Sequence, residues 1–454
     1  MNEAIKIGLD EFCIELQEMI LERIPDMTSL WSFIRTSKNM YAIFHSSKDK
    51  ILRIVITREI SPGVMKDALA AYSSTKFNSC REVTSVDAAI PSNQPSHMSV
   101  VDWLATYYIP SCDLSKVAKF YVSEKSREEW IEGSLTRKKT VRNISLSSEE
   151  MLLLWELHKD VKFIADLYVQ ETLPIFNHCF TYWHPRPALE RTPTLQDLSL
   201  IEKQRIFRAI YHFVIFGNLF CPVSTLGTLI WGHDRIALHY LCLFPAWQVE
   251  EISCVYDFIV NKVNQKWQEM EDYVFNSLAA DPSKWGIETR SDINAYWRPI
   301  DFSSSSKDVY AMSMLDLLTL VPIRSLRVLI QAKEEILKDL VLDWHAFKRN
   351  WGGRILDMAL LVDPGHLLVA PGGRSGDWGD DEPYFEWKNG DSLMASNVGW
   401  NWANNWHPRE LYAHSTSDGF YSTKLEAEDN EGFRRIGYVF WDAWRWSVGC
   451  TVHG

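Results

Sequence analysis

Four carboxylates, Asp377, Asp380, Asp381 and Glu382, stand beside Trp378 in a glycine-rich stretch and are the side chains whose types could most directly do chemistry. Clustered carboxylates suit a hard cation such as Ca²⁺ or Mg²⁺. A carboxylate pair flanked by tryptophan also suits sugar chemistry, where one group acts as acid and the other as base or nucleophile at a set separation. The spacing matches neither requirement, and a solvated acidic loop accounts for the same residues. His233-Asp234 and His239 lie close together without a nucleophile in a recognisable turn, so they read as surface or core histidines. No phosphate-cradling glycine loop, H-E-x-x-H zinc motif, G-x-S-x-G elbow or kinase signature occurs. The expectation is a chain with no catalytic residues, no metal site and no cofactor.

The elements that would have to position any such group are helices. Of 454 residues, 46% are hydrophobic and 23% charged, the balance of a folded chain. The length allows two or three domains and a full core without covalent staples. A formal charge of −12 argues against non-specific grip on nucleic acid or on an anionic membrane. The eight cysteines contain no C-x-x-C pair, which predicts reduced, mostly buried thiols in a cytoplasmic or nuclear protein. The most apolar window, Ile210–Trp231, contains His212, Asn218 and Pro222. It reads as a buried helix plus turn, since a membrane span needs about 20 predominantly apolar residues.

Helical period dominates from the start. Leu16, Met19, Ile20 and Ile24 form one stripe of an amphipathic helix, with Glu15, Glu18 and Glu22 away from it. Pro25-Asp26 breaks this helix, and Asp26 or Thr28 can cap a second carrying Leu30, Phe33 and Ile34. Ser37 can open a third with Met40, Tyr41 and Phe44 inward, and a fourth runs from Lys48 to Ile60. Ser61-Pro62-Gly63 closes the block. Further helices are predicted over Val100–Val122, Ser148–Gln170, Leu200–Leu219, Ala246–Leu278, Val309–Leu320, Ile323–Leu340 and Leu342–Met358, with Glu250-Glu251 near a helix start. Basic Arg137-Lys138-Lys139 with Arg142 reads as a charged linker. Eight of the twenty tryptophans lie beyond residue 370, which predicts an aromatic core under irregular loops in preference to the alternative, an aromatic recognition surface. The expected architecture is mostly α. A bundle over 1–62 is followed by a helix and linker over 63–99, a helical body over 100–360 and a Gly/Trp-rich portion over 361–454 packed on that body.

The N-terminal block resembles an F-box, the three-helix segment through which substrate receptors dock on the Skp adaptor of cullin–RING ubiquitin ligases. Phe12-Cys13-Ile14-Glu15-Leu16 occupies the family's L-P-x-E-L opening, followed by Ile20-Leu21. Ile24-Pro25-Asp26-Met27-Thr28-Ser29-Leu30 matches the middle and Thr36-Ser37-Lys38 the close. The Lys48–Ile60 helix and Asp67-Ala68-Leu69-Ala70-Ala71 look like a group of filamentous-fungal F-box-like proteins. Arg205–Phe220 with Phe244-Pro245-Ala246-Trp247, and Arg434 to Asp442, extend that likeness. Phe12 and Cys13 depart from the pattern where the family has Leu-Pro, a turn that is part of the adaptor contact.

The resemblance implies a non-catalytic, SCF-type receptor that takes part in protein ubiquitination. Its partners would be a Skp-type adaptor, through it a cullin, and a target protein held by the C-terminal region. The implied adaptor-binding residues are Phe12, Cys13, Leu16, Ile20, Pro25, Leu30 and Ser37. Two alternatives stay open: an interaction or scaffold protein that has lost docking, favoured by Cys13, and an enzyme with a site around Asp377–Glu382. A bundle of this size needs less apolar surface than Phe12, Leu16, Met27, Leu30 and Trp31 supply, so a partner or the rest of the chain must cover some of it.

Overall fold

The computed structural model describes residues 12–77, 97–109, 122–142, 146–181, 191–220, 240–280, 322–332 and 434–445, less Pro245, Tyr438, Ala443 and Trp444, with isolated positions between 111 and 119. Every regular element among them is helical, and the protein is mostly α. Two compact units divide the chain: 1–73 with 111–160, and 74–110 with 161–454. The first unit therefore takes in more than the 1–62 bundle.

In the first unit, α1 (Ile14–Arg23), α2 (Met27–Ile34), α3 (Lys38–Ser46), α4 (Lys48–Ile60) and α5 (Pro62–Ser74, whose last residue belongs to the second unit) follow one another with the shortest of turns. Local chemistry sets their ends. The Asp26 carboxylate accepts the Ser29 amide at 2.8 Å and caps α2. Ser37 Oγ accepts the Asn39 and Met40 amides at 3.1 and 3.4 Å and caps α3. α4 stops at Ser61, which has φ 74°, and Pro62 then opens α5. Ser61-Pro62-Gly63 is thus a joint between helices and not the end of the block, because proline's missing N–H is harmless at a first helical position. α1 and α2 both pack on α3 and α4 around Leu21, Met27, Leu30, Ile34, Met40, Ile43, Phe44, Leu52, Val55 and Ile56. Met27 and Leu30 are therefore core, not surplus surface.

α7 (Arg127–Arg142) occupies the stretch expected to be a charged linker, and Arg137 donates to Ser134 Oγ at 2.8 Å within it. A run of basic residues is compatible with a helix as well as with a linker, and composition alone does not distinguish the two. α8 (Ser148–Thr181) runs past Gln170 and through Pro174, and its residues from Val161 onward belong to the second unit. Its start is a capping box: Ser147 N donates to Glu150 Oε2 at 2.8 Å and Glu150 N to Ser147 Oγ at 3.2 Å.

The second unit is built on α6 (His97–Tyr107), the rest of α8, α9 (Leu200–Phe220), α10 (Ala246–Ala280) and α11 (Ile323–Gln331), with the short segment 434–445. α6 ends at Tyr107, short of the predicted Val122. α9 packs along α10 and is buried on all sides from Gln204 onward, including Arg205, Arg208, His212 and Asn218, and Glu202 in its first turn is buried too. Asn218 Nδ2 donates to Ser74 Oγ at 2.8 Å, and Tyr240 Oη to the His212 carbonyl at 2.7 Å. Among the described residues no helix is long and apolar enough to cross a membrane. The expected helices Val309–Leu320 and Leu342–Met358, the part of Ile323–Leu340 beyond 332, His233, Asp234, His239, the Asp377–Glu382 cluster and most of the C-terminal tryptophans lie outside the described residues.

Candidate docking face

The α1 stripe exists, and it faces outward. Gln17 and Leu21 form the buried side of α1, whereas Leu16 and Met19 are 47% and 53% exposed and Ile20 lies at the margin. The reason is a polar one. Gln17 is fully buried because both ends of its amide are used: Nε2 donates to the Phe12 carbonyl at 2.7 Å and Oε1 accepts from Asn39 Nδ2 at 2.8 Å. An amide satisfied in this way can occupy the inner side, and the neighbouring apolar side chains are left in solvent. Cys13, Leu16, Met19 and Ile20 follow one another at three- and four-residue spacing, so they share this outer side. Ile14 is 63% exposed at the first helical position. On α3, Tyr41 is 54% exposed and lies against His45, with ring centroids 6.3 Å apart, rather than facing inward.

The other implied docking residues fall in three settings. Phe12 is half-buried ahead of α1, and its carbonyl holds Gln17. Cys13 is the exposed N-cap, whose carbonyl takes the Leu16 and Gln17 amides at 3.1 Å without any side-chain cap. Pro25 is exposed in the α1–α2 turn. Ser37 caps α3, and Leu30 is sealed in the core. Thus Cys13, Leu16 and Ile20 come together on one surface, and Leu30 does not join them. Ile14, Met19 and Tyr41 were not among the implied docking residues. The surplus of apolar residues on α1 over what one buried side can hold is the sequence signal that marks the first two.

Two consecutive residues of α4 hold the Pro25 turn. Arg58 donates to the Glu22 and Ile24 carbonyls, both at 2.7 Å, and Glu59 accepts the Met27 amide at 3.0 Å and the Trp155 indole N–H at 3.2 Å. Lys50 bridges Glu18 at 2.9 Å and Glu22 at 2.6 Å on the flank of α1. The Lys50 ammonium holds the Glu18 carboxyl below its ordinary value, and Glu22 and then Glu18 raise Lys50. Backbone hydrogen bonding and then the Cys13 thiol lower the exposed Glu15 carboxyl beside the stripe. The surface is therefore an apolar strip with an ionised acidic edge.

The later segments that extended the likeness meet within the second unit. Arg205 donates to Asp442 Oδ1 at 3.0 Å and to the Phe440 carbonyl at 3.2 Å. Arg445 binds Glu202 at 2.6 and 3.0 Å, and Arg434 binds Glu250 at 2.8 and 3.0 Å and Asp257 at 3.3 Å. Arg208 and Glu251 pair through contacts of 2.6 to 3.2 Å, both buried. Glu250 and Glu251 thus lie inside α10, which starts at Ala246, and they serve arginines instead of a helix start. Each charge has its complement, and among the described residues no group of three or more His, Cys, Asp or Glu could hold a metal ion. Compared with protein-family models, with curated proteins and with solved structures, the chain has no match.

Proposed function

We propose that the chain is a non-catalytic substrate receptor of an SCF-type cullin–RING ubiquitin ligase, docking the Skp adaptor through residues 10–60 and holding a target protein through its C-terminal region. The observation that carries this reading is the outward apolar strip on α1, formed by Leu16, Met19 and Ile20 with Cys13. In a bundle whose core is otherwise closed, apolar side chains at this density are a surface for a partner. Catalysis then belongs to the ligase, and the receptor supplies proximity by raising the effective concentration of target lysines.

The test is co-purification of the full chain with a fungal Skp adaptor. Capture of the adaptor, lost in Leu16→Asp/Met19→Asp with an unchanged melting temperature, is the expected result. Absence of adaptor from the native chain would sink the reading. Cys13, where the family has proline, favours a second reading: an interaction protein without ligase docking. Cys13→Pro separates the two, since it strengthens adaptor capture only where a docking surface remains.

A further inference from the structure

We infer that Trp155, on α8, is a positioning residue for the α1 face, acting through Glu59 on the turn that follows α1. The inference rests on the docking reading above. A helix leaves its last carbonyls and its first amides without partners, and Pro25 contributes no N–H of its own. Three such groups around the α1–α2 turn are met from the last turn of α4. Arg58 takes the Glu22 and Ile24 carbonyls, and Glu59 takes the amide of Met27, the first residue of α2. Asp26 serves the Ser29 amide, so Glu59 acts as a second cap at the same helix start.

One oxygen does both jobs. Glu59 Oε2 accepts the Met27 amide at 3.0 Å and the Trp155 indole N–H at 3.2 Å. Two donors meeting on one oxygen from separate helices fix how that carboxylate can turn. An indole has a donor and no acceptor, so its N–H acts only by placing an acceptor. The Trp155 ring is itself held: it is buried, with the Lys159 ammonium 4.5 Å from its centroid. α4 meets the same stretch a second time, where Arg53 donates to the Leu146 carbonyl at 3.4 Å. α1 is thereby tied at both ends, by Gln17 to Phe12 and Asn39 at the first and by the Pro25 turn at the last. Met19 and Ile20 lie between those ties, and Leu16 lies beside the first. A binding surface must be held within about 0.5 Å of the geometry its partner needs, and the groups that hold it need not touch the partner.

Labelling the methionines of the full chain with nitrogen-15 reads the turn and the strip separately by NMR, through the amides of Met27 and Met19. Trp155→Phe keeps an aromatic ring and removes the N–H. It should shift both signals and leave that of Met40, in the core of α3, in place. The same variant should weaken binding of a fungal Skp adaptor by about tenfold, the value of one hydrogen bond to a charged group. Glu59→Leu, which removes the shared acceptor, should act in the same direction, and Glu59→Gln, which keeps an oxygen for both donors, should recover most of the loss. A native chain that binds no adaptor would remove the ligase reading, and the methionine signals would then decide the inference alone. Adaptor binding undiminished in Trp155→Phe, or a shift confined to Met27, would overturn the inference and leave the ligase reading standing. Should Trp155→Phe fail to fold, Glu59→Leu decides, because the effect is routed through that carboxylate: an unmoved Met19 signal there overturns the inference.

Discussion

The Tyr168 hydroxyl presses on Gly437 so closely that a Cβ at residue 437 would lie 2.6 Å from it. That hydroxyl is fully buried and, among the described residues, has no hydrogen-bond partner. Burial, and then the neighbouring Cys254 and Asp257, push its pKa well above the ordinary tyrosine value, so it stays neutral. Gly437→Ala meets both this contact and its positive φ and should destabilise the protein by about 2 to 4 kcal/mol. Tyr168→Phe removes only an unsatisfied polar atom and should be neutral or stabilising. The double variant should recover part of the Gly437→Ala loss, which thermal unfolding of all four chains would measure.

Arg208 and Glu251 form an ion pair with both side chains almost wholly enclosed. Burial raises the Glu251 carboxyl against the opposing pull of Arg208. Arg208→Met leaves that carboxylate without its complement and should cost about 3 to 5 kcal/mol in denaturant unfolding. Arg208→Met with Glu251→Leu should return close to the native stability, since two apolar side chains of similar size replace the pair. A double variant as weak as the single one would show that packing and not charge is at stake.

Asp26 ties the α1–α2 joint to the start of α2. Asp26→Ala should lower stability by about 1 kcal/mol, the ordinary value of an N-cap. Asp26→Asn, which can still accept the Ser29 amide, should recover most of it by the same thermal measurement.

The Glu150 carboxylate accepts the Ser147 amide and then the Ser147 hydroxyl, and both hold its pKa below the ordinary glutamate value. A folded-state pKa depressed in this way gives α8 support that is complete above the unfolded value, about 4.3, and fades as pH falls through the folded one. A carboxyl-detected NMR titration should find the Glu150 midpoint below that of a free glutamate. Ser147→Ala should move it part of the way back, because the backbone donor remains.

How far sequence reasoning reaches depends on the range of the forces involved. The caps at Asp26 and Ser37, the extent of α4 and the predominance of helix were legible because each depends on neighbours within a turn or two. The α1 stripe's outward side was legible only as a surplus of apolar residues that included Leu16. Leu16, Met19 and Ile20 have the spacing of a core face, and only Gln17's link to Asn39, on another helix, turns them outward. Tyr41 was misjudged for the same reason. Glu250 and Glu251 look like first-turn residues, and their true partners, Arg434 and Arg208, lie 184 and 43 residues away. Charges buried in α9 cannot be told from surface charges until those distant complements are brought up to them.

The Gln17 amide also bears on how fast an encounter could succeed. By fastening residue 12 to α3 it holds the chain entering α1 in place before anything arrives, so the strip behind it is displayed ready-made. Association with such a surface would need no local folding step and would proceed at the rate of simple collision and orientation.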